Sequence, residues 1–162
     1  MTTHPPTLQR RRVLCALALA SLPHAKGWAQ ATGFDHSHGA WTALLRKHVV
    51  LQGSGQASQL RYAGMAADRA ALKAYLAQLS AVPAAAFDAF SKPQQMAFLI
   101  NAYNAFTVEL ILTRYPQLES IRDLGGFLSK PWSIRNIALL GRMMTLDEIE
   151  HDTLRARGSY DD

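Results

Sequence analysis

The sequence predicts an α+β fold, predominantly helical, in which a long buried central helix is accompanied by a small β-hairpin. Three observations lead there. The run from Gln94 to Tyr115 is apolar on almost every side of a helix, the signature of a buried rod. Two shorter stretches, around Trp41 and around Tyr75, repeat apolar residues at three- and four-residue spacing. One stretch, from about Ser133 to Thr145, reads as two short strands joined at Gly141.

The first 31 residues stand apart. Arg10-Arg11-Arg12 precede an apolar stretch from Val13 to Leu22, and Trp28-Ala29-Gln30-Ala31 fits a small-residue cleavage site. Residues 1–31 are expected to be an export signal peptide cut near Ala31. The paired arginines are similar to the twin-arginine pattern, with Gln9 where Ser or Thr is usual. Ten or so apolar residues fall short of the roughly 20 that a membrane-spanning helix needs. The expected location is therefore periplasmic or secreted, with the membrane met only during export, and residues 32–162 are expected to be one domain.

Charge follows the same division. The chain carries a formal +5, but Arg10, Arg11, Arg12 and Lys26 lie before Ala31 while all 12 acidic residues lie after it. The remainder is nearly neutral and has no basic face of the kind phosphate backbones need, so no nucleic-acid partner is expected. Cys15 is the one cysteine and belongs to the leader, which removes disulfides, thiolate metal sites and a cysteine nucleophile from the expected mature chain. No cofactor and no metal are expected.

Taken in order, Phe34 to Val50 reads as a helix with Trp41, Leu44, Leu45 and His48 on one face, and with Asp35 or Ser37 as its N-cap. Asp35-His36-Ser37-His38 also has the residue types of a zinc site, and capping is the preferred reading. Gly53 to Ser58 reads as a turn or flexible loop, and Leu60 to Ala63 as a short extended segment. A second helix is expected from about Asp68 to Leu79 with Leu72, Tyr75, Leu76 and Leu79 in the core. Val82-Pro83 ends it, and Phe87 and Phe90 anchor a short helical turn.

Ser91-Lys92-Pro93-Gln94 fits a capping box that opens the long helix, and Tyr115-Pro116 closes it. Asn101 and Asn104 lie about 60° apart on that helix, with Tyr103 on a neighbouring face. A buried amide without a partner costs roughly 1–3 kcal/mol, so the two asparagines are expected to clamp a neighbouring loop, orient a histidine or hold a ligand amide. Downstream, Leu118 to Leu124 is a connecting element and Lys130-Pro131-Trp132 leads into the hairpin. Thr145-Leu146-Asp147-Glu148 is a second capping box, opening a helix with Leu146, Ile149 and Leu154 inward. On it Asp147 and His151 are four apart and Glu150 adjoins. A carboxylate at that spacing can hold an imidazole in one tautomer, as a general base requires, and the same spacing is common on solvated helices.

Asn101-Ala102-Tyr103-Asn104, Tyr115-Pro116, Pro131-Trp132 and Leu146-Asp147-Glu148-Ile149-Glu150-His151 with Leu154-Arg155, in this order and spacing, resemble the family named domain of unknown function 547. Phe34-Asp35-His36 through Leu79 is similar to the entry segment of that family. In the family a further stretch follows, with a histidine, an Asn-Cys pair and a second cysteine before a proline. The resemblance thus implies that residues 32–162 are an incomplete domain lacking its C-terminal part.

Two functional readings follow. In the first, the protein is an exported, non-catalytic or inactive fragment that binds a small molecule, a peptide or an envelope component, with Tyr103, Trp132 and Glu150 as binding residues. In the alternative, it is a fragment of a thiol-dependent hydrolase or transferase whose cysteine lies in the missing segment, and His151, Asn101 and Asn104 play supporting catalytic roles.

Overall fold

The computed structural model describes residues 33–118, 121–124 and 130–154. The expected leader and the glycine pair at 125–126 lie outside them. Helix α1 spans Gly39–His48, and a hairpin follows with β1 at Val49–Gln52 and β2 at Ala57–Leu60. Then come α2 (Tyr62–Ala67), α3 (Arg69–Ser80), α4 (Ala84–Asp88) and the long α5 (Lys92–Leu112). Two 3-10 turns, Ile121–Leu124 and Pro131–Ser133, lead to a second hairpin of β3 (Ile137–Leu139) and β4 (Arg142–Met144). A π-helix, Glu148–Leu154, comes last. The fold is α+β and predominantly helical, with two small antiparallel two-stranded sheets.

The core lies between α3 and α5, which pack on one another, with α1 also packed on α3 and the π-helix against α5. Leu72, Tyr75, Leu76 and Leu79 supply the α3 face, as their spacing predicts. Phe98, Leu99, Ala102, Ala105 and Val108 supply the α5 face, and the two alanines leave room for close approach of neighbouring helices. Arg69 of α3 makes a forked pair with Glu109 of α5, with nitrogen–oxygen distances of 2.7 to 3.2 Å.

Both capping boxes form. The Ser91 amide donates to Gln94 Oε1 at 2.9 Å at the start of α5. The Thr145 amide donates to Glu148 Oε2 at 2.8 Å while the Glu148 amide donates back to Thr145 Oγ1 at 3.0 Å. The element that the second box opens is wound as a π-helix rather than an α-helix. That winding alters the angular relation of residues four apart. Asp147 finds its partner in Ser133, whose hydroxyl donates to Oδ2 at 2.7 Å.

Three local expectations are corrected. Helix α1 stops at His48, because the β-branched pair Val49-Val50 begins a strand paired to β2, and Gly53 and Gly55 take the positive φ angles that the connection needs. The stretch Leu60 to Ala63 is not a continuous extended segment: β2 ends at Leu60, and Tyr62 opens α2, held down by the fully buried Met65. The long helix is not buried all round. Ile100 is 43 % exposed and Asn104 is exposed, while Thr107 and Ile111, following at helical spacing on the same side, are half-buried.

At its N-terminal end the domain is closed by aromatic rings. Phe34 meets Phe98 edge-on at 5.1 Å and His38 at 5.3 Å, and His36 meets Phe90 at 4.4 Å. The N-cap expected at Asp35 or Ser37 falls instead just beyond them, as α1 begins at Gly39; Asp35 accepts from the Gly39 amide at 2.9 Å and from the amide and hydroxyl of Ser37. The N-cap position itself is occupied by His38, whose backbone is left-handed at φ 50.

Candidate functional site

The last turn of α1 presents Lys47 outward and His48 inward, the latter on the same face as Trp41 and Leu44. The chain then leaves through the hairpin and returns at Arg61. There the Arg61 amide donates to the His48 carbonyl at 2.9 Å, and Arg61 Nη2 donates to the Lys47 carbonyl at 2.7 Å. Two carbonyls at the C-terminus of α1 are thus satisfied, one of them by a cation, which the helix dipole favours.

Asp68, between α2 and α3, ties the same region together. Its Oδ2 lies 2.6 Å from Lys47 Nζ and 2.6 Å from His48 Nε2. Donation from Lys47, and next from His48, holds the Asp68 carboxyl below the usual carboxylate range. The opposite edge of the His48 ring rests on Gly64 of α2.

Around these groups opens a cavity of ≈ 650 Å³ lined by Lys47, His48, Gln59, Leu60, Arg61, Tyr62, Ala63, Gly64 and Tyr115. Tyr62 and Tyr115 stack with ring centroids 6.2 Å apart and planes 30° apart. Burial pushes the Tyr62 phenol upward, so it stays protonated at neutral pH and can donate. Two cationic side chains, a buried imidazole and a largely apolar wall therefore converge on one small space. Pockets of this kind bind small molecules or the end of a chain, using apolar contact for affinity and a few polar groups for orientation.

The residues singled out in the sequence lie elsewhere. Asn101 and Tyr103 are half-buried on α5, and Asn104 donates through Nδ2 to the Ile100 carbonyl of its own helix at 2.9 Å. Trp132 is half-buried in its 3-10 turn and packs against the core. Glu150 is half-buried and His151 exposed, both on the π-helix. Because the π-helix packs against α5, the two elements that carry five of these residues are neighbours. The cavity is lined by a different set, drawn from residues 47–64 and from Tyr115.

Sequence reasoning missed this cavity because its residues come together only after the β1–β2 hairpin has folded back. His48 reads in the sequence as one more member of the α1 stripe, and it is indeed buried. The signal that separates it from a plain core residue is Asp68, twenty positions on, which only the fold brings to its Nε2.

The family model described as "Protein of unknown function, DUF547" matches residues 87–161, a span that starts in α4 and takes in α5, the second hairpin and the π-helix. Of the cavity lining, Tyr115 lies within the matched span. No curated protein and no solved structure is significantly similar to the chain.

Proposed function

We propose that the chain, whose residues 87–161 match the DUF547 family model, acts as an exported, non-catalytic binding module of the cell envelope, receiving a small molecule or the end of a peptide in the cavity beside α2. The observation that carries this reading is the meeting of Lys47, Arg61 and the Tyr62–Tyr115 stack around ≈ 650 Å³ of accessible space. A volume of that order suits a single small ligand.

Export in this reading rests on the Arg10–Leu22 and Trp28–Ala31 pattern, and N-terminal sequencing of the protein recovered from the cell envelope tests it by reporting whether the chain starts near Thr32. Binding is tested by nuclear magnetic resonance titration with short peptides and envelope-derived saccharides. The expected amide shifts fall on Arg61, Ala63 and Gly64. Shifts confined to Asn101, Tyr103, Asn104, Trp132, Glu150 and His151 would move the site to the contact of α5 with the π-helix and overturn the assignment to the cavity.

A further inference from the structure

We propose that the cavity selects an amphiphilic carboxylate, a ligand with one carboxylate head on an apolar or aromatic body. The proposal deepens the binding reading and rests on it. It starts from a charge census. Lys47 and Arg61 both line the cavity, no carboxylate is among its lining residues, and Asp68 beside it is already shared by Lys47 and His48. A cationic ligand would meet net repulsion, and a neutral one would gain nothing from the guanidinium. Arg61 uses Nη2 on the Lys47 carbonyl, and a guanidinium has five N–H donors in a fixed fork that matches planar or tetrahedral oxyanions.

The head must be single, or nearly so. Two cations, one of them already engaged by Asp68, match about one ligand charge, so a second charge on the ligand would gain no partner in the site and would be left to solvent. The body is set by the rest of the wall. Leu60, Ala63 and the face of Tyr115 offer apolar contact, and the Tyr62 hydroxyl is a donor. Aromatic walls offer rings offset or edge-on contact and hydrocarbon a large apolar area. Fatty or aromatic acids and the C-terminal residue of an apolar peptide share this chemistry.

The test uses the full chain and four probes: phenylacetate, phenylacetamide, phenyl phosphate and inorganic phosphate, each titrated while the amide signals of Ala63 and Gly64 are followed. Charge-assisted hydrogen bonds are roughly twice as strong as neutral ones, so phenylacetate should bind about ten-fold more tightly than phenylacetamide. Arg61→Gln should abolish that preference. Phenyl phosphate, largely a dianion at neutral pH, should bind no more tightly than phenylacetate, tighter binding overturning the single carboxylate head, and inorganic phosphate should bind about ten-fold more weakly than its phenyl ester because it lacks the body. Equal binding of phenylacetate and phenylacetamide would overturn the anionic head while leaving the cavity as a binding site. Inorganic phosphate binding as tightly as its ester would overturn the apolar body. Silence of Ala63 and Gly64 towards all four probes would overturn both this inference and the assignment of the site. Should Arg61→Gln fail to fold, the wild-type comparison of acid and amide decides alone.

Discussion

Gly64 and the His48 imidazole are in such close contact that a Cβ built on Gly64 would lie 2.5 Å from Nδ1 and 2.8 Å from Cε1. Helix propensity alone says that alanine at position 64 should help α2 by about 1 kcal/mol. Steric overlap says the reverse, since a buried ring held at its other edge by Asp68 has nowhere to go, and overpacking costs about 1–3 kcal/mol. The overlap wins. Gly64→Ala is expected to lower stability by roughly 1–2 kcal/mol in urea titration. A gain in stability would show that the His48 ring turns away freely.

The pH response of stability is expected to centre on His38. This side chain is buried, is bonded through Nδ1 to the Tyr75 hydroxyl at 2.8 Å, and has an Nε2 with no partner. Burial lowers its pKa below the ordinary 6.5, opposed by the Asp35 carboxylate and reinforced by His36. A base with a depressed native pKa binds its proton more readily when unfolded. Stability is therefore full above about pH 6.5 and falls as the pH drops through and below that value. Wild-type urea midpoints should decline from about pH 7.5 to about pH 5, and His38→Asn, which tolerates the left-handed backbone and cannot ionise, should flatten that decline. An equally steep decline in His38→Asn would assign the response to another group.

The fork between Arg69 and Glu109 joins the two helices of the core. Its side chains are 34 % and 19 % exposed, so it sits between the weak surface pair and the costly buried one. Glu109→Gln is expected to cost about 1–2 kcal/mol, and Arg69→Lys to lose a similar share because an ammonium cannot reproduce the fork. A double-mutant cycle at low and high salt measures the coupling. Coupling below about 0.3 kcal/mol would make the pair incidental.

Within α5 the two sides should respond very differently. Phe98→Ala removes a fully buried ring and is expected to cost about 3–5 kcal/mol, which threatens folding of a domain this size. Ile100→Ala, two residues on, changes a side chain that is 43 % exposed and should cost less than about 1 kcal/mol. A large cost at Ile100 would mean that this side is covered in solution.

Local chemistry was the legible part of this fold. Ser91 with Gln94 and Thr145 with Glu148 marked two helix starts, and Leu72, Tyr75, Leu76 and Leu79 marked a core face, because each pattern acts within a few residues. The hairpin from Val49 to Leu60 was missed in part because Gly53, Ser54 and Gly55 read equally well as a loose loop. Its pairing is decided by β-branched Val49 and Val50 finding Leu60 and Gln59. On α5 the composition overstated burial, since Ile100, Thr107 and Ile111 extend the apolar surface round to the open side. The cavity depended on tertiary closure altogether: Arg61 and Tyr115 are 54 positions apart, and nothing local to either announces the other.

The shared oxygen of Asp68 has one more consequence. Lys47 and His48 belong to α1, Asp68 opens α3, and Arg61, just before α2, binds back to the Lys47 carbonyl, so one carboxylate and one guanidinium tie the end of α1 to the starts of α2 and α3 beside the cavity. The buried His48 ring, held between Asp68 and Gly64, has already surrendered its rotational freedom before any visitor arrives. A ligand entering such a preorganised mouth should dissociate slowly for its size, as little disorder is regained when it leaves.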